Sequence, residues 1–131
     1  MRAIKVYIGN VQSNGAKWLK DLQFEIEGKG FEIQEPNAKL KGKSNFILYV
    51  FSNEDKNIRT IVDVVNDANH FKEKTLFCTM DSDFDQEHGF TKHQKKSIAA
   101  TGKMINLNGG KWIEGLKETV DYMVKQMAIN D

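Results

Sequence analysis

Asp63, Asp81 and Asp83 are the carboxylates whose setting in the sequence suits chemistry. Asp63 follows Thr60-Ile61-Val62 and has apolar positions on both sides, so a helix through it sets the carboxylate beside an apolar stripe. A carboxylate there can run along the rim of a site; the plain alternative is a solvated helix acid near the positive end of the helix dipole. Asp81-Ser82-Asp83 closes an apolar run. Amides and hydroxyls recur at comparable places: Gly9-Asn10-Val11-Gln12-Ser13-Asn14 follows a first apolar run, and Ser52-Asn53 follows a third. Such groups suit the hydroxyls and ring nitrogens of a nucleoside or sugar, although the same residue types also dominate turns and caps. Neither GxGxxG nor GxxxxGK[ST] occurs, so the rim is no phosphate cradle.

The acidic run Asp81 to His88 opens like a calcium loop but fails as one. Its sixth position is Gln86 rather than glycine, and its twelfth is Lys92 rather than glutamate. His70, His88 and His93 lack metal-ligand spacing, so no metal is expected. Cys78, the one cysteine, lies in Thr75-Leu76-Phe77-Cys78 and reads as a buried structural thiol. Thr91-Lys92-His93-Gln94-Lys95-Lys96 is basic without interleaved aromatics and reads as a solvated helix face.

Elements must hold these residues in place. Ile4, Val6 and Ile8 alternate with Lys5 and Tyr7 as a strand, and Ser13 offers N-cap chemistry for the helix carrying Trp18, Leu19, Leu22 and Ile26. Gly28 and Gly30 end that helix. Phe31 to Ile33 is a short strand, Asn37 to Ser44 a polar loop with three lysines, and Phe46 to Phe51 a central strand, apolar without alternation. Ile58, Ile61, Val62 and Val65 set one helical face up to about His70, and Thr75 to Met80 is another buried strand. Gln86 to Thr101 reads as a helix, Met104 to Leu107 as a last short strand, and Ile113 to Met127 as the clearest amphipathic helix.

The order β-α-β-β-α-β-α-β-α favours parallel strands joined by right-handed crossovers. The expectation is one α/β domain over residues 1–131: a doubly wound parallel sheet of about five strands, flavodoxin-like or Rossmann-like, flanked by helices. In such a sheet ligands lie outside the carboxyl ends of the strands, at the switch in strand order. Nineteen basic against eighteen acidic residues, a net charge of +1, give no electrostatic footprint for nucleic acid or an anionic membrane. No apolar stretch approaches bilayer length and no signal-peptide pattern opens the chain, so a cytoplasmic protein is expected.

The element order and several runs resemble the nucleoside 2-deoxyribosyltransferase-like family. Tyr7-Ile8-Gly9-Asn10 resembles its first strand and loop, Gln34-Glu35-Pro36 its second strand end, and Asn45 to Phe51 its apolar central strand. Thr60-Ile61-Val62-Asp63 resembles the segment carrying its catalytic glutamate, with Asp63 at that place, and Lys74 to Cys78 the strand that follows. The match runs in order over residues 4 to 80. The resemblance implies cleavage or transfer of the N-glycosidic bond of a (deoxy)nucleoside or nucleotide. Asp63 would be the nucleophile that captures an oxocarbenium-like centre, and Asp81 or Asp83 would handle the leaving base's proton. Gly9, Asn10, Ser13, Ser52, Asn53 and Thr60 would line the substrate site. No cofactor is needed, and a homodimer is expected by the same resemblance. Two other classes stay open: a non-catalytic nucleotide-binding module, and a phage or mobile-element protein-interaction domain on the same fold.

Overall fold

The computed structural model describes residues 4–10, 17–52, 58–80 and 90–129. Strand β1 (Lys5–Ile8) leads to helix α1 (Lys17–Gly28), then to β2 (Glu32–Ile33). A short 3-10 helix, Ala38–Lys43, leads into β3 (Phe46–Phe51). Helix α2 (Ile58–His70), β4 (Thr75–Thr79), helix α3 (Lys92–Leu107), β5 (Lys111–Glu114) and helix α4 (Leu116–Ile129) follow. All five strands are parallel, in the order β2-β1-β3-β4-β5. This is the doubly wound, flavodoxin-like arrangement, with its switch in strand order between β1 and β3.

The apolar runs of β3 and β4 lack alternation because helices cover both faces of the sheet. Val6, Ile8, Leu48, Val50, Leu76 and Cys78 pack with Trp18, Leu22 and Ile26 of α1 and Leu116, Val120 and Met123 of α4. Tyr7, Ile47, Tyr49 and Phe77 face the other way, against Val64 and Ala68 of α2 and Ile98 and Ile105 of α3. Two layers of buried side chains thus clamp the sheet, the condition under which a parallel sheet is stable. No described helix is long and apolar enough to cross a membrane.

Four local readings change. The polar segment before β3 is not an open loop but a 3-10 helix. Asn37 caps it by accepting from the Lys39 amide at 3.0 Å, so local side-chain chemistry shapes it without apolar periodicity. Met104 to Leu107 is not a strand but the end of α3, where Ile105 is buried and Met104 and Leu107 are exposed. Short apolar runs fit either period, and the capping box decides the helix. Thr91 Oγ1 accepts from the Gln94 amide at 3.1 Å, and Gln94 Oε1 accepts from the Thr91 amide at 2.8 Å. Ile113 belongs to β5 rather than to the last helix, because Gly115 (φ +99°) turns the chain before α4 begins.

Finally, the buried face of α2 is Thr60, Val64, Asp67 and Ala68, flanked by Ile61 and Val65. Ile58 and Val62, read as part of the inward stripe, stand exposed. Counting apolar residues missed that face because two of its four positions are polar.

Candidate functional site

The switch point is built from the ends of β1 and β3. The Gly9 amide donates to the Leu48 carbonyl at 2.8 Å, continuing the ladder past the end of β1. Asn10, almost fully buried, then replaces a strand residue with its side chain. Its Nδ2 donates to the Val50 carbonyl at 2.6 Å, and its Oδ1 accepts from the Val50 amide at 3.1 Å. Both ends of the amide serve the sheet, which fixes where the chain leaves β1. Gly9 is backed by the Tyr49 ring so closely that a Cβ there would overlap it. Ser52, just past β3, and Thr60, in the first turn of α2, are both buried.

Asp63 lies on α2 with its side chain 42% exposed, and its Oδ2 is 3.8 Å from Arg59 Nε one turn earlier. That is a loose surface ion pair of small energetic weight. Ser13, Asn53, Asp81 and Asp83 lie outside the described residues. The described candidates therefore divide between the sheet ladder (Gly9, Asn10), the buried rim (Ser52, Thr60) and an accessible carboxylate, Asp63.

One turn after Asp63, and missed in the sequence, Asp67 is buried beneath the sheet. Tyr49 Oη donates to its Oδ2 at 2.5 Å, and Lys41 Nζ lies 3.0 Å from the same oxygen. Lys41 also sits over the Tyr7 ring, 5.7 Å from its centroid. Burial, and then the hydrogen bond and charge of Asp67 with smaller effects of Asp63 and Tyr7, push the Tyr49 phenol far above its usual range, so it remains a donor. The network ties the 3-10 crossover to β3 and α2. A carboxylate one helical turn from Asp63, at a position flanked by Val64 and Ala68, was the available signal.

An open cleft lies at the carboxyl ends of β4 and β5, between α3 and the start of α4. It encloses about 700 Å³. Its walls include Met80, Phe90, Ile98 and Trp112, and its polar groups include Lys95, Glu114, Lys117 and Glu118. Three contacts hold Trp112 in place. Its Nε1 donates to Thr79 Oγ1 at 3.0 Å, its backbone amide donates to Asn106 Oδ1 at 2.8 Å, and its ring lies against Gly102 of α3. Phe90 stacks on Phe51, with ring centroids 5.8 Å apart. A fixed indole and an apolar floor edged by charges of both signs suit a flat ligand with polar edges.

Gly102 and Gly115 were the available sequence signals for this cleft, since a glycine inside a helix or after a strand often marks close packing. Cys78 hydrogen-bonds the Gly115 carbonyl at 3.4 Å. Burial, with the Glu118 charge as a smaller effect, raises its thiol to about 12, leaving it inert. Among the described residues no group of three or more His, Cys, Asp or Glu side chains is placed to hold a metal ion. Comparison of the chain with protein-family models, curated proteins and solved structures finds no match in any of the three.

Proposed function

We propose that the chain is a binding domain for a small, flat, polar-edged molecule of the nucleoside class, held at the carboxyl edge of the doubly wound sheet. The observation that carries this reading is the cleft of about 700 Å³ at the ends of β4 and β5, with Trp112 fixed in its wall. Its volume lies within the roughly 300–1,000 Å³ typical of small-ligand sites, and its mix of apolar wall and a few charged groups is the usual composition. The cleft opens on the carboxyl side of the sheet, the side on which doubly wound sheets present ligands, at β4 and β5 rather than at the β1/β3 switch. Thermal-shift titration with deoxynucleosides, nucleosides and free bases tests it. Concentration-dependent stabilisation by some members, weakened in Trp112→Ala, supports the reading; no stabilisation by any member overturns it.

The second reading places chemistry at the switch point instead of in the cleft, whose lining does not include Asp63, and the position of Asp63 favours it. This half-exposed carboxylate lies on the helix that follows the switch-point strand β3, within electrostatic reach of the Tyr49 hydroxyl. By the resemblance to deoxyribosyltransferase-like proteins, its oxygen would attack C1′ of the sugar. The C1′–N bond would break with its electron pair going to the base, which takes a proton. A second base or water would then release the sugar from Asp63. Liquid chromatography of deoxynucleosides incubated with the protein and with Asp63→Ala tests this step. Base release or exchange that disappears in the variant supports it, and turnover by neither protein leaves binding without chemistry.

A further inference from the structure

Resting on the nucleoside-class reading of the cleft, we infer that Glu118 sets the charge of the ligand the cleft accepts, admitting an uncharged nucleoside or base and rejecting its 5′-monophosphate. The cleft opens onto the first turn of α4, where Leu116, Lys117 and Glu118 all contribute to its lining. Amides at the start of a helix ordinarily attract an anion, and an open cleft there would suit a phosphate. In this chain an internal anion, Glu118, stands in that first turn, beside Gly115. The Glu118 carboxylate lies so close over Gly115 that a Cβ on Gly115 would overlap its Oε2, and Gly115 adopts φ +99°, which a side chain rarely takes. A glycine at 115 is therefore what allows the carboxylate to lie there.

The rest of the lining does not tip the balance toward anions. Two lysines, Lys95 and Lys117, are matched by two glutamates, Glu114 and Glu118. A phosphate entering beside Glu118 would meet a like charge at the position its own charge would favour. Rejection by a like charge is a common route to specificity. A neutral ligand meets no such penalty and can donate N–H or O–H groups to the two carboxylates while its ring lies on the apolar wall.

The test uses the full chain and three probes at low ionic strength: inorganic phosphate, deoxyadenosine and deoxyadenosine 5′-monophosphate. Affinities are read by calorimetry for the natural sequence, Glu118→Gln and Glu114→Gln. Glu118→Gln is expected to bind phosphate and the monophosphate about two- to fivefold more tightly than the natural sequence, with its affinity for the nucleoside unchanged. A gain of the same size in Glu114→Gln, or no gain in Glu118→Gln, overturns the proposal. Equal affinity of the natural sequence for nucleoside and monophosphate overturns it as well. If no protein binds the nucleoside, the ligand-class reading fails separately, while the inorganic phosphate series still decides the role of Glu118. Should Glu118→Gln fail to fold, Glu118→Asp withdraws the carboxylate by one methylene and is expected to give a smaller gain in the same direction.

Discussion

Gly102→Ala sets two effects against each other, and their sizes decide the sign. Alanine in a helix interior is favoured over glycine by about 1 kcal/mol. At Gly102, however, the added Cβ would overlap the Trp112 ring, which it meets at Cδ2, Cε3 and Cγ. That ring is not a flexible end. It is held by the bond to Thr79 and by its backbone amide on Asn106. Forcing an extra carbon into such a contact costs about 1–3 kcal/mol, and losing the indole hydrogen bond if the ring swings out adds about 1 kcal/mol. The net expectation is a loss of roughly 1–3 kcal/mol. For a chain of this size that corresponds to a fall in Tm of roughly 4 °C for each kcal/mol. Gly28→Ala is the matched control, because a Cβ at the end of α1 meets nothing within 4 Å and should be neutral or slightly stabilising. Urea denaturation followed by circular dichroism reads both variants. A Gly102→Ala protein as stable as the natural sequence would refute the reasoning and, with it, the rigid placement of Trp112.

Lys41→Met removes the cation from buried Asp67 and should cost about 3–5 kcal/mol in urea melts, whereas Tyr49→Phe, which leaves that ion pair in place, should cost about 1–3 kcal/mol. Glu73 is the one non-glycine residue with positive φ (71°) among the described residues, so Glu73→Gly should gain up to about 1 kcal/mol by the same assay. Burial and, secondarily, Glu73 raise the Tyr122 phenol, and ultraviolet titration of Glu73→Gly should show it partly relaxed toward its ordinary value. Cys78 should resist an aromatic disulfide reagent at pH 8 until the protein unfolds, because burial holds its thiol at about 12 against an ordinary 9.0. Above pH 9 the unfolded chain releases this proton while the native state keeps it, so Cys78 should lower stability progressively from pH 9 toward 12, as equilibrium melts across that range would show.

The sheet was legible because its signals are local and redundant. Phe46 to Phe51 and Thr75 to Thr79 are apolar runs bounded by turn residues, and both became central strands. The carboxyl end of the chain was harder to read. Ile113 continues the apolar spacing of α4 by chance, and only the backbone turn at Gly115 separates strand from helix. The candidate site was less visible still. Asp67 and Tyr49 are 18 residues apart and meet only once α2 folds onto β3. Trp112 becomes a wall only through Thr79, 33 residues earlier in the chain. Periodicity reports which face of an element is buried, but not which distant polar side chain shares that burial.

The most direct test of the cleft uses the two indole N–H groups, Trp18 and Trp112, as internal reporters. Trp18 is buried among α1 and α4, whereas Trp112 lines the cleft. A ¹H–¹⁵N titration of the labelled protein with deoxyadenosine, deoxycytidine and thymidine should move the Trp112 indole signal saturably and leave that of Trp18 nearly still. Saturable shifts confined to residues at the ends of β1 and β3, or no shifts with any of the three nucleosides, would contradict the cleft as the binding site.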